Sequence, residues 1–566
     1  MGEADKTKRA TGSRQIRKNL LKCFPALIFV ISIFFTCYTA YHVSFTVLDS
    51  DTSSEMVLAS LLAEENQIIS KDIIYSTEIK ILHVNLIYAP LFKILLDWQM
   101  VRFVGNIILL AVYLLSYYYL CRQLSIQRES FFYSASLLIL PFSVNYGRNV
   151  LYHCHYLPCI ALGFLIVGLF LSLTRQVSRS PLRKAINIFF LFLLSLGSCL
   201  SGVRQLMSIM VPLLLTAFVV GLKSLQKGPV SIDFLKTRGW EIGLALFVCA
   251  AGAIGNWWNG TLPEVGYTFK QYGDIMLDFP SVEGMYEILL AYFQQFGFQA
   301  GRELFSVVGC LAMGGLFVAI YFLGKTVCVF GKEKICNVNT REYIKNLFSV
   351  NLLVMTCVLI LMGYNDQQSR YYLTSTVWAI PLLATQISDA SPFSIQTWTV
   401  KRISMTIVCL VMFANGFLNN AYFIKPEGKS VKFDGNYFMN IHAAEDLSGV
   451  AEFVVENELT LGYATFWNAN IVTELTSGKT AMVGLEVFWL DEKFTYQNWL
   501  TAKHYREEAF VEEQNPFILL SHEENEMFAK TPLAEYAIFL YKDARYYIYS
   551  FDFAIEVMEY LMETSS

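Results

Sequence analysis

Residues 45–66, FTVLDSDTSSEMVLASLLAEEN, follow directly on the apolar run 24–47 and bring three acidic residues, Asp49, Asp51 and Glu55, within seven positions. The run is long enough to cross a bilayer as a helix. Carboxylates at the end of such a helix lie in the headgroup region, where partial desolvation raises a carboxyl pKa and favours a general base. The same residues are also typical of a helix cap and a solvated loop. The stretch therefore predicts a membrane helix that ends in either a reactive site or a capped loop.

The chain as a whole has the composition of a polytopic membrane protein. Of its 566 residues, 55% are hydrophobic, 15% aromatic and only 16% charged. Runs of about 18 or more residues with almost no charge recur along it, and this length spans a bilayer. The apolar runs predict about eleven spans: 24–47, 101–120, 131–146, 156–174, 186–200, 205–222, 240–258, 303–324, 347–363, 372–388 and 402–423.

The charge of the connecting segments predicts the orientation of the spans. The tail 1–23 and alternate connections carry an excess of Lys and Arg, so the positive-inside rule makes them cytoplasmic. These basic connections are 121–130, 174–185, 221–239 and 324–346. We therefore expect a multi-pass protein of the plasma membrane with a cytoplasmic N-terminus. The segments expected outside are 48–100, 147–155, 259–301, 364–371 and 424–566.

The predicted fold class is a polytopic all-α membrane domain over residues 24–423, followed by a C-terminal exterior α/β domain over residues 424–566. Long apolar runs stop near Lys425, and short apolar segments bounded by polar residues begin. The predicted strands are 461–467, 480–488, 516–521, 537–541 and 544–552, with helices at 470–478 and 553–564.

The first outer loop, residues 48–100, is predicted to be large and partly helical. Asp51 or Thr52 is expected to cap a helix that lies flat on the bilayer, with its apolar stripe towards the membrane. Residues 73–98 mix apolar and charged positions and are expected to form a second amphipathic stretch.

Several function classes are excluded by what the sequence lacks. The twelve cysteines contain no CxxC pair, so neither a disulfide framework nor a zinc site is indicated. A net charge of −4 gives no general attraction to nucleic acid. No Walker A loop, G-x-S-x-G elbow, H-E-x-x-H or Rossmann glycine pattern is present. These absences disfavour both ATP-driven transport and nucleotide-sugar binding by a cytoplasmic domain.

The order of features resembles the GT-C superfamily of polyprenyl-phosphate-sugar glycosyltransferases, and within it the bacterial mannosyl- and aminoarabinose-transferase-like group. The features are an acidic motif after the first span, a large first outer loop, Pro90-Leu91-Phe92 before the next span, a late Arg370-Tyr371 pair and a C-terminal exterior domain. Ala89 stands where that pattern often has a second proline. The resemblance implies an inverting transfer of a sugar from a polyprenyl-phosphate carrier to an envelope glycan, lipid or protein.

The resemblance also implies roles for individual residues. Asp49 or Asp51 takes the first-loop carboxylate role, and Asp49 is favoured because it directly follows the span. Some members of the superfamily hold a divalent metal, such as Mg or Mn, with these acids, and the partners expected here are Glu264 and Asp274. The departing phosphate calls for cations at the interface. Arg370 with Tyr371 is the leading candidate, against an ordinary interfacial belt of Arg and Tyr.

Further cations are expected on the same side of the membrane. Arg204 lies in a short turn, where it either snorkels or binds an anion. Arg148, His153 and His155 follow an apolar run, and histidines two positions apart cannot share one helical face. We therefore expect them to contact the donor phosphate or sugar hydroxyls; a metal would need an extended loop there.

Four residues are predicted to line the sugar or acceptor cavity. Glu78 and His83 either face this cavity or lie on the solvent-exposed face of a surface helix. Trp258 and Tyr267 have aromatic rings on which a sugar can stack. The alternative explanation is that they belong to the Trp and Tyr side chains that are enriched at membrane interfaces. Close to them, Asn259-Gly260-Thr261 fits the N-glycosylation sequon.

Two other function classes compete with the transferase. A transporter or flippase for lipid-linked sugars would keep ionisable residues near the bilayer midplane and often shows inverted repeats. The charged residues here gather at the predicted outer rim, and no repeat is visible. In the other alternative, the exterior domain is a binding module and the spans are its anchor. Under either interpretation Trp467, Asn468 and Asn470 are candidates for contact with a polymeric acceptor, although a core position is the better explanation of Trp467.

Overall fold

The computed structural model describes residues 2–76, 78–174, 180–225, 232–269, 280–330, 340–362, 366–389, 400–425, 431–434 and 437–565. Helices dominate the chain as far as Ile424. They are α1 Gly2–Thr46, α2 Ser50–Glu65, α3 Asn85–Phe92, α4 Trp98–Gln123, α5 Arg128–Ile139, α6 Val144–Tyr146, α7 Leu157–Thr174, α8 Pro181–Cys199, α9 Val211–Leu225, α10 Ile232–Thr261, α11 Val282–Gln294, α12 Val307–Phe330, α13 Thr340–Leu361, α14 Leu373–Thr376, α15 Ala379–Asp389 and α16 Val400–Ile424.

Within the described residues, nine helical stretches are long and apolar enough to cross a membrane. They are Cys23–Thr46, Trp98–Gln123, Leu157–Thr174, Pro181–Cys199, Leu206–Ser224, Lys236–Val265, Val307–Phe330, Thr340–Leu361 and Arg402–Ile424. Each coincides with one of the predicted apolar runs. The predicted fold class, a polytopic helical domain with a C-terminal α/β domain, is confirmed.

The two remaining apolar runs form shorter helices. The run 131–146 contains α5, which has 12 residues and ends just before Pro141. A proline has no backbone N–H and restricts the residue before it, so the helix stops there. The run 372–388 is divided between α14 and α15, and the second has 11 residues. Both runs are apolar because they are buried among other helices: α5 packs against α1 and α15.

The first loop differs from the expected surface arrangement. Helix α2 is buried on nearly all sides, and its polar residues Ser50, Ser53 and Glu55 are as buried as its apolar stripe. It packs against α3 on one side and against a helix of the C-terminal domain on another. The prediction that α2 lies flat on the bilayer is therefore wrong, because the C-terminal domain covers the side that was expected to face water.

The predicted amphipathic stretch 73–98 is mostly not helical. It starts with strand β1, Ile73–Tyr75, and contains only the short helix α3 before α4 begins. Strand β1 pairs with β2, Thr268–Phe269, and with β8, Thr501–Ala502. This small sheet joins three distant parts of the chain on one face of the helical domain. We call the face that carries α2, α3 and the C-terminal domain the loop face.

The C-terminal domain is built on a six-stranded mixed sheet. The strand order is β10-β11-β9-β5-β6-β7, with β5 parallel to both β6 and β9. Apolar clusters cover both faces of this sheet. Its strands and helices, with the preceding hairpin, are β3 Val431–Asp434, β4 Tyr437–Met439, α17 Ala443–Glu456, β5 Leu461–Thr465, α18 Phe466–Leu475, β6 Ala481–Phe488, β7 Lys493–Tyr496, α19 Glu508–Val511, β9 Pro516–Ser521, α20 His522–Phe528, β10 Ile538–Lys542, β11 Tyr546–Ser550 and α21 Ala554–Ser565.

Helix α18 attaches this domain to the helical domain through buried polar contacts. Glu474 is 0% exposed and forms a two-pronged ion pair with Arg102 of α4, whose Nε lies 2.7 Å from Oε1. At the start of α18, the carbonyl of Phe466 accepts a hydrogen bond from the Ser50 hydroxyl of α2. Asn470 Nδ2 donates to the same hydroxyl at 3.3 Å. The C-terminal domain therefore holds the beginning of α2 directly.

We predict that Arg102→Met strongly lowers the stability of the protein, since it leaves the Glu474 carboxylate buried without its counter-ion. Breaking a buried pair from one side costs about 3–5 kcal/mol. Thermal unfolding in detergent measures the effect. Arg122→Met, at the exposed end of the same helix, is the matched control and should change little. Equal melting temperatures for the two variants would contradict the prediction, and replacing Arg102 and Glu474 together by apolar residues should recover part of the loss.

Candidate active site

Asp49 begins α2 and fixes its direction. Its backbone is extended, with φ −136° and ψ 159°, and its Oδ1 accepts a hydrogen bond from the backbone N–H of Thr52 at 2.9 Å. The Asp49 N–H donates in return to Thr52 Oγ1, which completes a capping box. The sequence predicted Asp51 or Thr52 as the cap. Asp49 takes this place because the chain leaves α1 at Thr46 and needs extended residues before it can turn.

The other carboxylate oxygen of Asp49 faces two basic side chains. Arg148 Nη2 lies 2.8 Å from Oδ2, and His153 Nδ1 lies 3.1 Å from it. All three residues are at most 6% exposed. Burial by itself would raise the pKa of the Asp49 carboxyl, but His153 and Arg148 outweigh it and hold this pKa well below its usual range. Asp49 is therefore ionised, and its carboxylate contacts the first turn of α2, Arg148 and His153.

A π-helical turn brings Arg148 and His153 to the same side. The turn spans Gly147–Tyr152, and the His153 N–H donates to the Arg148 carbonyl at 2.9 Å. In a π-turn, residues five apart lie nearer to the same side than they do in an α-helix, which rotates them apart. Such turns are frequent at functional sites. The sequence placed both residues in the site, and this turn aligns them on Asp49.

His155 also approaches Asp49, because the chain reverses at Cys154. Cys154 has φ +55°, a left-handed conformation, so the segment is not a continuous helix and the obstacle posed by the two-residue spacing is removed. The rings of His153 and His155 meet edge to face at 6.1 Å. One ligand atom from each of Asp49, His153 and His155 lies within 4.8 Å of the others. This group is able to hold a metal ion.

Burial keeps His155 uncharged. Burial lowers the pKa of this imidazole well below its ordinary value, and the nearby Lys80 and His153 lower it further. The negative charge of Asp49 raises this pKa but does not outweigh them. A neutral imidazole offers a lone pair to a cation, as metal binding requires.

Asp51 lies two residues further along α2 and differs from Asp49. Its side chain is partly exposed. Burial and the negative charge of Asp49 raise the pKa of the Asp51 carboxyl, and Arg370, Arg148 and Lys80 oppose that rise without cancelling it. The sequence expected a raised pKa for the acidic pair. The pair divides instead, because Asp49 takes the close ion-pair contact and thereby becomes a negative neighbour for Asp51.

Glu55, one turn after Asp51, organises a second buried cluster. Its carboxylate contacts Lys80 Nζ, accepts a hydrogen bond from Asn85 Nδ2 at 3.0 Å and lies 3.6 Å from His83 Nδ1. Burial opposes ionisation, but Lys80 and His83 hold the pKa of Glu55 well below its usual value. His83, predicted in the sugar cavity or on a wet helix face, is a mostly buried neighbour of Glu55 and lies before α3 begins.

Arg204 is held between an acid and two aromatic rings. Its Nη2 lies 3.4 Å from Glu78 Oε1, and its guanidinium carbon lies 4.9 Å from the ring centre of Tyr156 and 5.8 Å from that of Tyr371. These contacts fix the guanidinium while leaving its side chain 33% exposed. The structure therefore brings together Glu78, Arg204 and Tyr371, three residues that the sequence singled out separately.

Arg370 approaches the acids from a fourth segment. It lies in the 3₁₀ turn Asp366–Tyr372, is partly buried, and its charge acts on Asp51. Arg148 and Arg370 both act on Asp51, although they lie in turns more than two hundred positions apart in the sequence.

The remaining predicted residues have other surroundings. Trp258 is half exposed in the last turn of α10, and Tyr267 lies beneath Lys71, whose Nζ is 5.6 Å from its ring centre. Glu264 is exposed in a 3₁₀ turn and is not part of the Asp49 group, and Asp274 lies outside the described residues. The sequon residue Asn259 is 6% exposed and donates to the carbonyl of Ile79 at 3.2 Å, so its amide is used inside the protein.

Sequence reasoning missed the roles of Glu55 and Lys80. Glu55 was visible in the first acidic stretch, and its spacing of four from Asp51 places both on one side of α2. No local pattern indicates that Lys80, in an irregular segment 25 residues later, is its partner.

Comparisons with known proteins concern the fold. No protein-family model matches the sequence, and no curated protein is similar to it in sequence. The structure is similar to that of ArnT from Cupriavidus metallidurans bound to undecaprenyl phosphate, with a TM-score of 0.51 over 93% of this chain and 97% of that chain, at 9% identity. The Archaeoglobus fulgidus oligosaccharyltransferase in complex with Zn and sulfate gives a TM-score of 0.46 over 92% and 72%, at 12% identity. The chain has a GT-C-like fold, as the resemblance in sequence implied.

We predict that Gly202→Ala displaces Glu78 and destabilises the Arg204 group. Gly202 has φ +94°, which side-chain-bearing residues rarely adopt, and an added Cβ would lie 1.9 Å from Glu78 Oε2. The backbone strain alone costs about 1 kcal/mol. A lower melting temperature in detergent is expected for this variant. The control Gly260→Ala, in helix α10 with nothing within 4 Å, should not lower it, and a similar decrease in both would contradict this account.

Proposed function

We propose that the protein is an inverting glycosyltransferase that takes a sugar from a polyprenyl-phosphate donor and passes it to an acceptor on the outer face of the plasma membrane. The observation that supports it most is the arrangement around the start of α2. Asp51, a partly exposed carboxyl with a raised pKa, lies within the electrostatic influence of Arg148 and Arg370 and two residues from a buried anion, Asp49. A proton acceptor beside fixed cations is what sugar transfer with a phosphate leaving group requires.

In the proposed reaction, Asp51 takes the proton from the acceptor nucleophile as this atom attacks the anomeric carbon. The bond between that carbon and the phosphate oxygen breaks on the opposite side of the sugar ring, which inverts the configuration. The polyprenyl phosphate leaves with an added negative charge, and Arg370 and Arg204 neutralise it. Arg204 is prepared for this role because Tyr156, Tyr371 and Glu78 already hold its guanidinium.

The roles of Asp49 and Asp51 are distinguished by their contacts. The sequence favoured Asp49 as the carboxylate that acts on the acceptor. Its ion pair with Arg148 and its bond to the Thr52 N–H use its oxygens and make it a weak base, so we propose Asp51 as the proton acceptor. Asp49 then orients α2 and Arg148, and contributes a metal ligand if the enzyme uses one.

A divalent cation fits the group Asp49, His153 and His155. Two imidazoles and one carboxylate are a donor set for Mn²⁺ or Zn²⁺ rather than for Mg²⁺, which prefers oxygen ligands. A bound ion would add positive charge beside the departing phosphate.

We predict that Asp51→Asn abolishes most of the release of polyprenyl phosphate from a radiolabelled polyprenyl-phosphate sugar by purified protein. Losing a general base typically lowers kcat by about 10²–10⁴-fold. Glu64→Gln, an exposed acid on the same helix, is the matched control and should retain wild-type turnover. Full activity of Asp51→Asn with loss in Asp49→Asn would reverse the assignment of the two acids. Absence of release by folded wild-type protein from a panel of donors would favour the transporter alternative.

We predict that protein stripped with a chelator binds Mn²⁺ or Zn²⁺ at one site through this group. His155→Ala should weaken binding by at least about tenfold, because one of three protein ligands is lost. Isothermal titration calorimetry measures this without any enzymatic assay. His442→Ala, which removes a histidine of the C-terminal domain, should bind as wild type does, and equal affinity in all three proteins would refute the site.

A further inference from the structure

Gln295 is a fully buried polar residue that the proposed mechanism does not use. It directly follows α11 and is 0% exposed. Its Nε2 donates to the carbonyl of Ala291 at 3.0 Å and to the carbonyl of Ser369 at 3.2 Å. Its Oε1 accepts a hydrogen bond from Asn145 Nδ2 at 3.2 Å. Burying an amide is unfavourable unless it is hydrogen-bonded, and here both ends of the side chain have partners.

These hydrogen bonds connect the two turns that carry arginines of the site. Asn145 lies in α6, two positions before the π-turn begins, and its side chain accepts a hydrogen bond from Asn149, the residue next to Arg148. Ser369, whose carbonyl Gln295 holds, is the residue next to Arg370. Asn145 Nδ2 also lies 3.5 Å from Ser369 Oγ. One amide side chain therefore links the segment of Arg148 to the segment of Arg370.

Arg370 lies on a short turn, directly after the residue whose carbonyl Gln295 contacts. The 3₁₀ turn Asp366–Tyr372 is short, and it has few backbone hydrogen bonds of its own compared with a long helix. Arg370 binds a phosphate well only if the position and orientation of its guanidinium are fixed beforehand. Residues on separate turns need a common support for that purpose.

We propose that Gln295 is a positioning residue that holds Arg370 opposite Arg148 and Asp51, and thereby sets the affinity of the site for the phosphate of the lipid carrier. This inference rests on the proposed function. It makes Gln295 a determinant of donor binding, although its own side chain is enclosed by protein and touches neither donor nor acceptor.

The test is equilibrium binding of undecaprenyl phosphate to purified full-length protein in detergent. Gln295→Met keeps the length and approximate volume of the side chain and removes its hydrogen bonds. We expect its Kd for undecaprenyl phosphate to rise on the order of tenfold, because a small displacement of a binding group such as the Arg370 guanidinium weakens binding. Gln294→Met, the same exchange at the preceding and less buried position, is the matched control and should leave the Kd unchanged.

A double-mutant cycle separates positioning from a purely structural role. If Gln295 acts through Arg370, adding Gln295→Met to Arg370→Ala causes no further loss of affinity, whereas independent effects would add. An unchanged Kd in Gln295→Met, or full additivity in the cycle, overturns the inference. If Gln295→Met does not fold, Gln295→Glu replaces it in the test. This variant keeps an acceptor for Asn145 but no longer donates to the Ser369 carbonyl, so we expect the same rise in Kd.

The same experiment distinguishes failure of this inference from failure of the proposed function. Tight binding by wild type that Arg370→Ala weakens, with Gln295→Met unaffected, rejects only the role of Gln295. Absence of phosphate-dependent binding by wild type, with undecaprenol as the uncharged comparison, rejects the proposed function and the inference together.

Discussion

The buried carboxylate of Asp49 is the contact on which the loop face depends. One oxygen caps α2, and the other holds Arg148 and lies against His153. Three segments, the end of α1, the start of α2 and the π-turn, therefore meet at a single side chain. An unpaired carboxylate in such a place would be strongly unfavourable, so the site is stable only when all these partners are present.

The two acids at the start of α2 illustrate how neighbouring groups of one kind acquire different properties. Asp49 gains close positive partners and stays ionised, and its charge then contributes to the raised pKa of Asp51. Glu55 forms a separate ion pair with Lys80, so the positive charge of Lys80 compensates the negative charge of this third acid. The proposed reaction requires this division, since one group must accept a proton while the others remain fixed anions.

The C-terminal domain belongs to the same physical unit as the candidate site. The buried pair of Arg102 and Glu474 and the contact of Ser50 with Phe466 link α18 to α4 and α2, and a three-stranded sheet adds a further connection. Deleting this domain would leave a buried charge in α4 unpaired and would uncover the start of α2. Truncation would therefore disturb the candidate site itself, and point substitutions on α18 are needed to learn whether the domain also selects acceptors.

Features that depend on local periodicity and length could be predicted from the amino-acid sequence. In the part of the chain that the structure describes, nine apolar runs form span-length helices and the predicted C-terminal strands form a sheet. The acidic stretch after the first span coincides with the candidate site. The contacts between distant side chains, in contrast, became visible only in the folded protein. The pairing of Asp49 with Arg148, of Glu55 with Lys80 and of Asn145 with Gln295 joins residues far apart in the chain. The physical reason is that a membrane helix or a strand is specified by its own residues, whereas a buried ion pair or amide contact is specified by how several such elements pack, and no short stretch of sequence records that.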